Sequence, residues 1–109
     1  MKKLFIAAFI FVSTFTTNTF AEVKMGIILG FTGPIESLTP AMAASAELAF
    51  KEASDSGSLL GGEKITVVRA DSTCVDSAAA TAAAEGVISQ GVAAIMGADC
   101  SGVTGAIAS

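Results

Sequence analysis

Histidine, tryptophan and tyrosine are absent from this 109-residue sequence, and cysteine and proline each occur only twice. Without histidine, the chain lacks the commonest acid–base side chain and the commonest metal ligand. The two cysteines, Cys74 and Cys100, are too far apart for a CxxC redox motif and too few for a zinc quartet. We therefore expect neither a metal site nor a cofactor in this chain.

Basic residues are also scarce, and two of the six, Lys2 and Lys3, stand at the N-terminus. All ten acidic residues follow residue 21, where only four basic residues remain, so the formal net charge of residues 22–109 is −6. A surface this acidic repels phosphate backbones and anionic lipid headgroups. The charge therefore argues against nucleic acid or an anionic membrane surface as a partner.

The first 21 residues have the layout of a cleavable signal peptide. The two lysines precede an unbroken apolar run over Leu4–Val12, and a polar stretch then leads to Thr19-Phe20-Ala21, which has small residues at its first and last positions. A membrane-spanning helix needs about 20 apolar residues, whereas this run has nine. We predict a signal peptide over residues 1–21, cleavage after Ala21 and export of the remainder.

Export bears directly on the two cysteines. In an exported protein an even pair of cysteines is most simply a disulfide. If Cys74 and Cys100 are bridged, the closed segment contains 27 residues. Loop-closure entropy would then stabilise the fold by about 3–4 kcal/mol.

Three predicted strands alternate with helices after the leader. The runs 23–31, 64–70 and 92–96 are short, continuously apolar and bounded by turn residues. Strands of this kind belong to a parallel sheet whose two faces are covered by helices. The sequence ends inside a third predicted helix, so we expect an incomplete α/β lobe of the form β-α-β-α-β plus the start of that helix.

The helices between these strands have recognisable starts. Thr39 or Ser37 can cap the first helix, Pro40 suits its first turn, and Asp76 or Ser77 can cap the second. Glu47 and Lys51 are spaced for an ion pair along the first helix. Apolar stripes should face the sheet; they comprise Met42, Ala46, Ala49, Phe50 and Ala53 in the first helix, and Ala80, Ala84, Val87 and Ile88 in the second.

Ligands of open α/β sheets bind at the carboxyl ends of the strands. Here those ends are residues 30–38, 71–74 and 97–104. The third contains Ser101 and Thr104, whose hydroxyls would lie with backbone N–H groups at a helix N-terminus that attracts carboxylate or phosphate. Ser101 fits a simple helix cap equally well, and local sequence leaves the two interpretations open.

The patterns of known enzymes are weak in this chain. Ser101 is not in a G-x-S-x-G elbow, because Asp99 and Val103 occupy the glycine positions. Asp71 and Asp99 could form an acidic pair, but single carboxylates at strand ends are more often helix caps or solvated loop residues. We therefore expect that the chain is not an enzyme.

Four stretches together resemble the N-terminus of type I periplasmic solute-binding proteins, in particular the branched-chain amino-acid-binding proteins of ABC transporters. The last two carry a cysteine just after the second strand and another just after the glycine that ends the third. The stretches are GIILGFTGP (26–34), AELAFKEASDSG (46–57), GGEKITVVRADSTCVDSAAA (61–80) and VAAIMGADCSGVTGAIA (92–108).

The resemblance implies a fold of two Rossmann-like lobes that close on a solute, with residues 22–109 as the N-terminal part of lobe 1. It implies a disulfide between Cys74 and Cys100, and a Ser101 hydroxyl that binds the ligand's α-carboxylate. Leu38 would form part of the pocket wall, and Thr104 lies in the same turn as Ser101. The implied location is the periplasm, and the implied partner is an inner-membrane ABC permease.

Three other functions remain open at this stage. The same fold could bind amides, urea or aromatic acids in place of a branched-chain amino acid. It could also be the ligand-binding domain of an extracellular sensor receptor, or part of an exported α/β enzyme whose catalytic groups lie beyond residue 109.

Overall fold

The computed structural model describes residues 22–109, so the predicted signal peptide lies outside the described residues. Strands and helices alternate along the chain, as expected. The elements are β1 (Glu22–Leu29), α1 (Thr39–Asp55), a 3-10 turn (Leu59–Gly61), β2 (Lys64–Asp71), α2 (Ser77–Ser89), β3 (Ala94–Gly97) and α3 (Ser101–Ile107). No helix within this range has the length and apolar character needed to cross a bilayer.

The three strands form one parallel sheet in the order β2-β1-β3. β1 is the central strand, and its Met25 lies beside Val67 of β2 and Ala94 of β3. The predicted α/β class with a parallel sheet is confirmed. β1 begins one residue earlier and ends two residues earlier than predicted, and β3 begins two residues later.

Alternate side chains of β1 pack against the two faces of the sheet, as the two-residue period of a strand requires. Ile27 and Leu29 pack with Ala43 of α1 on one face, whereas Ile28 packs with Ala84 and Val87 of α2 on the other. All three β1 side chains are at most 1% exposed. The core therefore lies on both sides of β1, which explains the continuous apolar run in its sequence.

The start of α1 differs from the prediction. Leu38 occupies the N-cap position in a right-handed helical conformation, Thr39 is the first helical residue, and no side chain caps the helix. The Thr39 hydroxyl instead donates a 3.0 Å hydrogen bond to the carbonyl oxygen of Gly30. Neither Ser37 nor Thr39 is the cap, although Pro40 does lie in the first turn.

The predicted apolar stripes are only partly right. In α1, Ala43, Ala46 and Phe50 face the sheet, while Met42 is 44% exposed. In α2, Ala80, Ala84 and Val87 are buried as predicted, but Ile88 is 60% exposed. Many alanines permit close packing at several rotations of a helix, so contact with the sheet decides which face is buried.

The predicted Glu47–Lys51 ion pair is wrong. Glu47 accepts two hydrogen bonds from the guanidinium of Arg69 on β2, at 2.6 and 2.7 Å, and Lys51 pairs with Asp55 one helical turn further on. The planar guanidinium matches both carboxylate oxygens, and this hydrogen bonding lowers the pKa of Glu47. The Arg69–Glu47 pair ties α1 to the outer edge of the sheet.

Gly97 at the end of β3 generates the first prediction. Its φ is +130°, and an added Cβ would lie 1.8 Å from the carbonyl oxygen of Ile28. We expect Gly97→Ala to lower the free energy of unfolding by about 3 kcal/mol or more, measured by urea denaturation. The control is Gly86→Ala, since that helical glycine has no atom within 4 Å of an added Cβ and alanine should stabilise the helix by about 1 kcal/mol. Equal effects at the two positions would contradict this account.

Candidate ligand-binding site

The carboxyl ends of all three strands meet at one edge of the sheet. β1 ends at Leu29, β2 at Asp71 and β3 at Gly97, and each strand continues into a loop that leads to a helix. We call this the carboxyl edge, formed by the loops 30–38, 72–76 and 98–100. Parallel topology alone brings these loops together.

A disulfide joins two of the three loops. Cys74 in the β2–α2 loop is bonded to Cys100 in the β3–α3 loop, with a Cα–Cα distance of 5.2 Å. This bond agrees with the pairing expected for an exported protein and implied by the family resemblance. It places the start of α3 beside the loop that precedes α2.

Asp99 links the end of β3 to the end of β1. Its two carboxylate oxygens lie 3.2 and 3.0 Å from the backbone nitrogen of Gly30, which donates to them. The Ser72 hydroxyl also donates to Asp99, over 3.5 Å, and Ser72 is fully buried. Asp99 is therefore not a helix cap, and its partly buried carboxylate joins two loops.

Ser101 lies at the first position of α3, one residue inside the helix. Cys100 is the N-cap residue, in an extended conformation, so Ser101 is not the helix cap. The Ser101 side chain is exposed, and no hydrogen bond within residues 22–109 involves its hydroxyl. Of the two interpretations of Ser101 left open by the sequence, the structure removes the cap and leaves an exposed hydroxyl without a hydrogen-bond partner in residues 22–109.

Thr104 and Leu38 occupy different environments at this edge. The Thr104 hydroxyl lies 2.9 Å from the carbonyl oxygens of both Ala98 and Cys100, to which it can donate. Thr104 therefore stabilises the first turn of α3. Leu38 is 60% exposed immediately before α1, where an apolar side chain can contact a bound molecule.

The comparison with protein families matches this arrangement. A family profile described as "Periplasmic binding protein" matches residues 22–109, which is the whole described range. The chain belongs to the periplasmic binding protein family. A search of curated proteins gave no match. The resemblance to type I periplasmic solute-binding proteins is thus confirmed, and with it a solute-binding role.

Asp71 organises the remaining loops of this periplasmic binding protein. Its carboxylate accepts hydrogen bonds from the hydroxyl and backbone N–H of Thr32, at 2.6 and 3.3 Å, and from the backbone N–H of Thr73 at 2.8 Å. Burial raises the pKa of Asp71, but the hydrogen bonds from Thr32, Thr73 and Phe31 together outweigh burial and lower it. Asp71 thus joins the β1–α1 and β2–α2 loops, and like Asp99 it caps no helix.

The contacts of three further residues at the binding protein's carboxyl edge could not be predicted from the sequence. These are Gly30, Thr39 and Ser72, which form one hydrogen-bonded group with Asp99. The side chains of Thr39 and Ser72 are fully buried. Gly30 and Asp99 are 69 positions apart. A contact of this separation follows from the strand order, which no local pattern contains.

A cavity of about 390 Å³ lies at the opposite edge of the sheet, where the strands begin. Its lining is apolar throughout, so it offers no hydrogen-bonding group to orient a polar solute. We therefore do not assign the solute site to it. The lining residues are Val23, Met25, Phe50, Ala53, Leu59, Leu60, Ile65 and Ala93.

The disulfide provides the second prediction. Replacing both Cys74 and Cys100 by serine should lower the free energy of unfolding by about 3–4 kcal/mol, because the unfolded chain regains the entropy of a 27-residue loop. Equilibrium denaturation of the two proteins measures the difference. As a control, reductant should destabilise the parent protein and leave the double variant unchanged. A double variant as stable as the oxidised parent would show that the bond contributes nothing.

Asp71 provides a prediction on pH. Because its pKa in the folded protein is below the ordinary 3.8, its ionised form stabilises the fold above about pH 4, and this stabilisation is lost as the pH falls through the folded-state pKa. Asp71→Asn should lower the free energy of unfolding at pH 7 and make it fall less steeply below pH 4. Denaturation curves between pH 2 and pH 7 measure both effects.

Thr32→Val serves as the intermediate variant in that series. It removes the hydroxyl that donates to Asp71 but keeps the backbone donors, so its pH dependence should lie between those of the parent and Asp71→Asn. If the free energy of unfolding fell equally steeply below pH 4 in all three proteins, this role for Asp71 would be excluded.

Proposed function

We propose that this chain is part of the substrate-binding component of an ABC transporter, and that it captures a branched-chain or similar small amino acid in the periplasm. Membership of the periplasmic binding protein family supplies the solute-binding role. The observation that carries the finer assignment is the Ser101 hydroxyl, exposed at the carboxyl edge and without a hydrogen-bond partner in residues 22–109.

In this proposal Ser101 binds the α-carboxylate of the amino acid. Its hydroxyl donates one hydrogen bond, and backbone N–H groups of the first turn of α3, which have no partner within a helix, can donate others. Hydrogen bonds to a charged group are worth about 1.5–3 kcal/mol. Leu38 supplies an apolar surface for the side chain of the ligand, as pocket walls commonly do. Thr104 supports the same turn from within, since its hydroxyl bonds to the backbone.

The distribution of charge favours a ligand with a single carboxylate. None of the four basic residues of residues 22–109 lies in the loops of the carboxyl edge. Lys24 and Lys64 lie near the starts of their strands, and Arg69 is engaged by Glu47. In this proposal a ligand carboxylate is therefore bound by neutral donors, and Asp99 stands two residues before Ser101 in the chain. A second negative charge on the ligand would find no basic side chain in these loops to offset their acidic residues.

The remaining assignments complete the proposal. Residues 1–21 act as a cleaved signal peptide that directs the protein to the periplasm. Residues 22–109 form the N-terminal part of lobe 1, and chain beyond Ser109 supplies the rest of that lobe and a second lobe that closes on the ligand. The loaded protein then delivers the solute to an inner-membrane permease. Family members typically bind and do not catalyse, so no reaction is assigned.

Two other functions would use the same fold, and experiments can distinguish them from the proposed one. A binding protein for amides, urea or aromatic acids would differ in the ligand that stabilises it. A sensor receptor would carry a membrane-spanning segment after its ligand-binding lobes. The product of the complete reading frame distinguishes these cases.

The test is a ligand screen on that product. Leucine, isoleucine and valine should raise its melting temperature, and acetamide, urea, benzoate and glutamate should not. Ser101→Ala should weaken leucine binding roughly 10- to 100-fold, the equivalent of one hydrogen bond to a carboxylate, measured by calorimetry.

Ser45→Ala is the matched control, because that exposed hydroxyl bonds only to the backbone of its own helix. It should leave affinity unchanged. If only urea or an aromatic acid raised the melting temperature, the proposed amino-acid ligand would be wrong. Unchanged leucine affinity in Ser101→Ala would remove Ser101 from the site, and a reading frame without a second lobe would overturn the two-lobed mechanism.

A further inference from the structure

We propose that Asp99 is the positioning residue of the ligand site, and that it holds Ser101 and Leu38 in a fixed relation through Gly30. This inference rests on the proposed function, since it takes Ser101 and Leu38 as the residues that meet the solute. Asp99 itself is not assigned a contact with the ligand. Its carboxylate accepts hydrogen bonds from the backbone N–H of Gly30, the residue after β1, and from the hydroxyl of Ser72.

The first half of the connection runs from Ser101 to β1. Asp99 stands two residues before Ser101, and both of its carboxylate oxygens accept from the N–H of Gly30, at 3.2 and 3.0 Å. Gly30 directly follows the buried end of β1, where Leu29 is 1% exposed. The β3–α3 loop is thereby fixed to the most deeply buried strand of the sheet.

The second half runs from Gly30 to Leu38. The carbonyl oxygen of Gly30 accepts a 3.0 Å hydrogen bond from the hydroxyl of Thr39, which is fully buried. Leu38 is the residue immediately before Thr39 and occupies the N-cap position of α1. Gly30 thus makes both hydrogen bonds. Its N–H donates to the Asp99 carboxylate, and its carbonyl oxygen accepts from the first residue of α1, Thr39.

The disulfide does not provide this connection. It joins the β3–α3 loop to the β2–α2 loop, and the Leu38 side of the site lies in the β1–α1 loop. Among the hydrogen bonds within residues 22–109, those from Gly30 to Asp99 are the ones that join the loops 30–38 and 98–100. Loss of the Asp99 carboxylate would therefore remove the direct hydrogen bonds between the loops 30–38 and 98–100, and would leave an indirect connection through the disulfide and the bonds of Asp71 with Thr32.

The test compares three variants of the complete reading-frame product. Asp99→Ala removes the acceptor, whereas Asp99→Asn keeps one oxygen for the Gly30 N–H and removes the charge. The control is Ser54→Ala, because the Ser54 hydroxyl oxygen accepts from the backbone N–H of Ile65 over 3.1 Å, and Ser54 is also buried, at the opposite edge of the sheet. Leucine affinity is measured by calorimetry and stability by thermal denaturation.

A positioning role predicts a separation of affinity from stability. Asp99→Ala should weaken leucine binding at least tenfold, Asp99→Asn should remain within about threefold of the parent, and Ser54→Ala should lower the melting temperature without changing affinity. Unchanged affinity in Asp99→Ala, or an equal loss in Asp99→Asn, would overturn the proposal. So would a loss of affinity in Ser54→Ala that matches its loss of stability.

A measurement without ligand keeps the inference separate from the proposed function. In amide NMR spectra of the ligand-free protein, Asp99→Ala should shift the resonances of Gly30, Leu38 and Ser101 and speed hydrogen exchange at Gly30. Ser54→Ala should affect residues around Ile65 only. If leucine does not bind the parent, the proposed ligand is wrong and these spectra alone decide the role of Asp99. Unshifted Leu38 and Ser101 signals in Asp99→Ala would refute it.

Discussion

The burial of β1 is the constraint on which the other elements depend. This strand has a hydrogen-bonded neighbour on each side and a helical layer on each face, so its side chains Ile27, Ile28 and Leu29 are almost completely removed from water. Each such side chain stabilises the fold by about 1.5–3 kcal/mol relative to an exposed one. The end of β1 is therefore the anchor of the carboxyl edge. The carbonyl oxygen of Leu29 accepts from the N–H of Ser72. The backbone of Gly30 bonds to the Thr39 hydroxyl and the Asp99 carboxylate.

Close approach around β1 explains why small residues are so frequent in this chain. A Cβ on Gly26 would lie 2.7 Å from the side chain of Val87, and the buried face of α2 consists largely of alanine. Helices that pack this closely bury little area per residue. A covalent link between two loops compensates in part, because the Cys74–Cys100 bond lowers the entropy of the unfolded chain.

The order of elements and the parallel sheet could be predicted because continuous apolar runs separated by amphipathic segments have few other solutions. Asp76 was also predictable as the cap of α2, since its side chain accepts from the N–H of Ala79 three residues later. Contacts between residues far apart in the sequence could not be predicted in this way. Glu47 could pair with Lys51 in an isolated helix, but β2 offers it Arg69, whose two donors match the carboxylate. Met42 and Ile88 were misplaced because packing, not periodicity, sets the rotation of an alanine-rich helix.

The candidate site shows the same division between local and long-range information. Ser101 and the cysteine pair could be singled out from the sequence through their spacing in a family pattern. The contacts that orient Ser101 could not, because no local pattern relates Asp99 and Gly30 to the first residue of α1, Thr39, until the strand order brings them together. Within the turn that begins α3, the structure then separates two similar hydroxyls. Thr104 is committed to backbone carbonyl groups, and Ser101 is left to the solvent side. In the proposed role, the Ser101 hydroxyl needs to break no hydrogen bond within residues 22–109 before it binds a carboxylate, and a donor placed in advance by its turn lowers the ordering cost of binding.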